Sequence, residues 1–126
     1  MHRSRLGTIV VDCQADELEP AAAFWSAALG CAVLPPEKQT DDKYVGLEHR
    51  DDDVKVLLQK VDHPSRVHLD IETDDIDAEV KRLEKLGARN LGRIKSWCVM
   101  EAPSGQRFCV VPPQRRDFES RANRWD

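Results

Sequence analysis

Residues 66–87, RVHLDIETDDIDAEVKRLEKLG, carry the two periodicities on which the fold turns. From Val67 to Glu72 apolar and polar residues alternate, the pattern of a strand with one buried face. His68, Asp70 and Glu72 therefore share a face of that strand. Asp74 or Asp75 then offers a helix cap. Ile76, Val80, Leu83 and Leu86 recur at helical spacing until Gly87, a residue type suited to a helix end. The segment reads as strand, turn, helix, stop.

The same order stands about 58 residues earlier. Thr8 to Cys13 is rich in β-branched residues and bounded by Gly7 and Gln14-Ala15-Asp16. Asp16 is expected to cap a helix with Pro20 in its first turn and Ala21 to Leu29 as its body. Phe24, Ala28 and Ala21 are expected to share one face of it, and Gly30 to be its stop. Val10-Val11-Asp12 answers His68-Leu69-Asp70, and both helices close on Leu-Gly.

After the first helix the sequence predicts a short strand at Cys31 to Leu34, broken by Pro35-Pro36, and a polar loop to Lys43. A hairpin of Tyr44 to Glu48 and Val54 to Lys60 follows, around a solvated turn that includes Asp51-Asp52-Asp53. After the second helix come strands at Arg89 to Gly92, Trp97 to Glu101 and Arg107 to Val111, the last two joined through Pro103-Ser104-Gly105. The expected class is α+β, a single domain over 1–126 built from two βαβββ modules at 6–61 and 66–112. Its mixed sheets are expected to curl, with the helices outside. Pro112-Pro113 stops the last strand, and the arginine-rich tail 113–126 is expected to fray unless Phe118 and Trp125 anchor it on a partner.

Composition narrows the function classes. Nineteen Lys and Arg against 23 Asp and Glu give a net charge of −4, which argues against nonspecific nucleic-acid binding. No apolar run approaches the roughly 20 residues of a membrane helix. The basic start, Met1 to Arg5, is followed by too short an apolar run for an export signal. Cys13, Cys31, Cys98 and Cys109 are scattered without metal-finger spacing, so they read as reduced thiols in a cytoplasmic protein.

With Phe24-Trp25-Ser26-Ala27-Ala28-Leu29-Gly30, Arg66 to Asp70 and Ala102 to Cys109 in this order, the chain resembles the glyoxalase-like branch of the vicinal oxygen chelate superfamily. Glyoxalase I, the bleomycin- and fosfomycin-resistance proteins and the extradiol dioxygenases belong to that superfamily. The resemblance spans about Leu6 to Val111. It implies a sheet-lined cup for a small molecule and a homodimer. It also implies four metal-ligand positions, which fall at Val10, Gln59, His68 and Cys109. Val10 has no lone pair and Cys109 stands where a carboxylate is usual, so a metal-free cup is expected and no cofactor is predicted. A divalent metal on Gln59, His68 and Cys109 is the alternative.

Two functions remain open. One is a binding protein that sequesters a small molecule; the other is a lyase or isomerase with His68 as acid/base, or as ligand, and Asp70 orienting it. Asp12, Gln59, Glu72, Trp97 and Cys109 are the expected ligand-binding residues. Each has a structural reading beside the functional one. His68 and Asp70 could hold sheet register, Asp12 could fix the following loop, and Gln59 needs its amide satisfied whatever its role. Cys109 could be a small buried hydrophobe, and Trp97 could border the cup or pack. Trp25 is expected in the core or at a subunit contact.

Overall fold

A computed structural model describes residues 1–35, 42–50 and 52–126. Residues 36–41 of the expected polar loop, with Pro36, and Asp51 of the hairpin turn lie outside the described residues. The strands are β1 (His2–Gln14), β2 (Tyr44–Gly46), β3 (Lys55–Val61), β4 (Arg66–Thr73), β5 (Arg89–Ile94), β6 (Trp97–Glu101), β7 (Arg107–Val111) and β8 (Asn123–Trp125). The helices are α1 (Glu19–Leu29), α2 (Ile76–Lys85) and α3 (Phe118–Arg121). The class is α+β with mixed strand pairing, as the alternating pattern predicts. No described helix is long and apolar enough to cross a membrane. The chain divides into two compact units, one of Ile9–Val67 and one of Met1–Thr8 with His68–Asp126.

In the 9–67 unit β2 pairs antiparallel with β3, Tyr44 facing Gln59 and Val45 facing Leu58, and β3 lies beside β1. Cys13, Leu18, Leu47 and Leu58 form the core, with Ala21, Trp25 and Val56 packed against it. The expected strand at Cys31 to Leu34 shrinks to one bridge, Val33 to Leu47. α1 corrects one expectation. Leu18, not Asp16, is the N-cap residue, without a side-chain cap bond, because Pro20 sets the first turn further along the chain. Phe24 is 62% exposed and Ala28 is also exposed, while Ala21, Ala22 and Trp25 face inward. Trp25 brings the larger surface to the core, and Phe24 meets it edge-on at 5.1 Å. Gly30 closes the helix with φ +70° as expected.

In the other unit the strand order is β1-β4-β7-β6-β5, and β8 pairs with the start of β1. β4 and β7 run parallel; β7, β6 and β5 are antiparallel neighbours. Asp75 caps α2 by accepting from the Ala78 amide at 3.0 Å. Val80 and Leu83 of α2 pack on Cys98, Met100 and Val110, with Ile71, Ile76 and Phe108 around them. Because side chains alternate along a strand, this helix-covered face leaves Asp70, Cys109 and Val99 on the opposite one.

The tail does not fray. Trp125 is tied by its indole N–H to Ser4 Oγ at 2.8 Å, and the Arg82 guanidinium stacks 4.0 Å over its ring. Phe118 is buried at 5% exposure. Two buried carboxylates account for this order, since each must collect donors to be tolerated inside. Glu79 takes both guanidinium arms of Arg82 at 2.8 Å and His2 Nε2 at 2.7 Å. Glu72 takes the tail amides of Gln114 and Arg115.

Burial alone pushes the Glu79 carboxyl up, but hydrogen bonds from Arg82, His2 and Ser4 outweigh it and hold the group below the ordinary carboxylate range. A depressed pKa contributes stability that is complete above the unfolded-state value and lost as pH falls through the folded-state value. Glu79→Gln should cost about 2 kcal/mol near neutrality. The gap to wild type should close below roughly pH 4. Urea midpoints of the two proteins across pH 7 to 3 measure it; a constant gap would contradict the assignment.

Candidate active site

β4 and β7 converge on a small polar group. Asp70 stands opposite Cys109 in the parallel ladder, and Cys109 opposite Val99 in the next. His68 lies two residues from Asp70 on β4 and so shares its face. His68 Nε2 is 3.4 Å from Asp70 Oδ1, each side chain being 15% exposed. The donor atoms of His68, Asp70 and Cys109 all lie within 4.8 Å of one another. Asp70 Oδ1 is shielded from solvent and accepts no hydrogen bond from the described residues.

Glu72, the third residue of the alternating face and an expected ligand-binding residue, is met by protein donors. It is fully buried. Oε2 accepts from Arg5 Nε at 2.6 Å and Arg115 Nε at 3.3 Å, and Oε1 from the amides of Gln114 at 2.6 Å and Arg115 at 3.2 Å. Those donors occupy the four acceptor positions a carboxylate has. Glu72 thus straps the tail to β4. Trp97 is half-buried on β6, on the same face as Val99, where it can border a ligand.

The expected residues of the 9–67 unit have other neighbours. Asp12 is 2% exposed, with Arg66 Nε 3.7 Å from Oδ2. Gln59 donates to the Tyr44 hydroxyl at 3.3 Å and lines a polar groove with Tyr44, Lys60, Asp16 and His63. Val10 is buried at 2% exposure, a hydrocarbon where the resemblance puts a ligand. What one-strand spacing could not supply is the cross-strand line Asp70, Cys109, Val99, Gly92, which needs the register of four strands.

A glyoxalase-like domain model matches residues 8–111. The chain belongs to the glyoxalase-like domain family. No curated protein matches this member of the family. Its structural neighbours have the vicinal oxygen chelate fold. A hypothetical protein from Bacillus halodurans superposes with a TM-score of 0.63 at 12% identity, over 90% of this chain and 96% of that one. Methylmalonyl-CoA epimerase from Mycobacterium tuberculosis gives 0.62 at 16% identity, over 88% and 89%. A Streptomyces coelicolor methylmalonyl-CoA epimerase variant in complex with 2-nitronate-propionyl-CoA gives 0.56 at 17% identity, over 85% and 96%. Likeness at these identities speaks for the fold alone.

The glyoxalase-like chain offers a metal a different donor set from the one the resemblance implies. Asp70 joins His68 and Cys109. One imidazole nitrogen, one carboxylate oxygen and one sulfur fit the three protein ligands of an open Zn²⁺ site, and suit a borderline-soft ion better than Mg²⁺.

The four thiols should differ in reactivity. Burial pushes Cys13 and Cys98 up, while Cys31 and Cys109 are partly exposed. Iodoacetamide at pH 8, followed by peptide mass spectrometry, should label Cys109 and Cys31 and spare Cys13 and Cys98 in the folded protein. Equal labelling of all four would contradict the burial.

Proposed function

We propose that the chain binds a small carbonyl compound on the open face of β4, β7 and β6 and moves a proton on it, as an isomerase or lyase. The supporting observation is the His68–Asp70 pair, 3.4 Å apart, with a shielded Asp70 oxygen that no described residue satisfies. His68, placed beside Asp70, offers an imidazole able to act as a base near neutral pH. That base takes the proton from a carbon next to a carbonyl: the C–H bond breaks, an N–H bond forms, and the electron pair moves onto the carbonyl oxygen. Return of the proton on the other side isomerises the carbon; loss of a neighbouring group makes the reaction a lyase. Asp70 orients the ring and stabilises the imidazolium that forms. Trp97 and Cys109 border the bound molecule. The fold shared with methylmalonyl-CoA epimerases supports this class of chemistry. The same reading takes the chain to act as a homodimer in the cytoplasm, with its thiols reduced.

The second reading follows from the donor set. His68, Asp70 and Cys109 would hold Zn²⁺, which when bound supplies a Lewis acid for a carbonyl oxygen. His68 cannot then be the base, so the two readings exclude each other.

Solvent exchange separates them. Chelator-treated protein is incubated with methylmalonyl-CoA and a panel of other carbonyl acids in D₂O, and deuterium at the α-carbon is followed by NMR. We expect exchange without metal, reduced about 10²- to 10⁴-fold in His68→Gln. Undiminished exchange in that variant would overturn the role of His68. Binding without any exchange would make the chain a sequestering protein.

Metal uptake gives an independent readout. Zn²⁺ competition against a chromophoric chelator should show no tight stoichiometric binding under the first reading. Binding of one Zn²⁺ that weakens in both Asp70→Asn and Cys109→Ser, with exchange only in the loaded protein, would replace it by the second.

A further inference from the structure

We propose that Arg107 anchors an anionic group, a carboxylate or phosphate, of the molecule that occupies the His68–Asp70 face. The inference rests on the reading that the ligand lies on this face, and it narrows the ligand class to anions. Arg107 opens β7 two residues before Cys109, so the two share a face. His68 precedes Asp70 by the same two residues on the parallel strand, and Asp70 is the ladder partner of Cys109. Continuing that register sets Arg107 alongside His68.

The natural internal partner of Arg107 is already engaged. Glu101 stands opposite Arg107 across the β6–β7 ladder, but its Oε1 is taken by Arg89 from the other side at 2.7 Å. Among the described residues no carboxylate forms an ion pair with Arg107, which is exposed. The other arginines near this sheet are committed: Arg93 to Asp77, Arg5 to Glu72 and Asp117, Arg115 to Glu72. In a chain of net charge −4, an uncommitted guanidinium beside the proton-transfer pair is a specific feature. Its planar fork of donors matches a carboxylate or phosphate in a two-bond geometry. An oxyanion held there would orient a carbonyl acid toward the imidazole and would itself remain outside the bond changes.

The test uses the full chain, isotopically labelled so that arginine side-chain Nε–H signals are visible, titrated at constant ionic strength with sodium malonate and, separately, with inorganic phosphate. We expect a saturable shift of the Arg107 signal in at least one series, with Arg89 moving little. Malonate alone identifies a carboxylate site, phosphate alone a phosphate site, and both together a general oxyanion site. Arg107→Gln should weaken binding about tenfold. Arg107→Lys should retain part of the affinity. Absence of a saturable shift, or equal affinity in Arg107→Gln, overturns the proposal. If anion binding holds while His68→Gln exchanges protons normally, the anchor stands and the catalytic reading fails. If His68 is essential and Arg107→Gln binds equally well, the anchor fails alone.

Discussion

A fully buried carboxylate, Glu72, ties together the unit that carries the candidate site. An ionised group taken out of water must be met by donors placed for it, and breaking such an arrangement costs about 3–5 kcal/mol. Here the donors come from two distant places in the sequence: Arg5 near the start, and the tail, which gives the Arg115 side chain and the amides at 114 and 115. The same two arginines reach further, Arg5 to Asp117 at 2.6 Å and Arg115 to the Leu6 carbonyl at 2.6 Å. Gly7 belongs to this constraint, because a Cβ there would come within 2.9 Å of the Glu72 side chain. The start of β1, the tail and β4 are thus held by one charge. Asp70 lies two residues upstream of it on β4, so its position depends on the strand that Glu72 fixes.

This division of labour along one strand face explains what the sequence could and could not disclose. Alternation from Val67 to Glu72 places three polar side chains on one face, and that geometry is local. Which of the three meets solvent and which meets arginine depends on residues more than 40 positions away in sequence. Spacing could therefore put the three on one face but could not tell the His68–Asp70 pair from the donor-saturated Glu72. Trp97–Glu101 and Arg107–Val111 match the expected strands because turn residues bracket them, and α2 was legible because Val80 and Leu83 recur at helical spacing above polar neighbours.

Where local pattern and packing competed, packing decided. α1 is apolar on nearly every side, so periodicity could not choose between Phe24 and Trp25 as the inner aromatic; the room beside Leu18 and Leu47 did. β1 reaches back to His2 although Arg3 and Arg5 break any apolar alternation, because their charges have carboxylates to meet in Asp74, Glu72 and Asp117. The tail follows from the same cause. Its backbone completes the edge left by His2 to Ser4, and its Trp125 stacks under Arg82. A frayed tail is the default for exposed polar ends, and it gives way when a tail brings donors that buried carboxylates require.

The two acidic residues of β4 can then be compared directly. Glu72 is saturated with donors, as a structural carboxylate in a dry site must be. Asp70, one strand repeat away, has a shielded oxygen 3.4 Å from the imidazole that accepts no hydrogen bond from the described residues. An unsatisfied buried acceptor costs about 1–3 kcal/mol, and the fold supplied four donors to its neighbour. The contrast fits a position where the missing donor is a charged imidazole formed during a reaction: in that state the Asp70 interaction becomes strongest, which is the condition for a group that assists proton transfer.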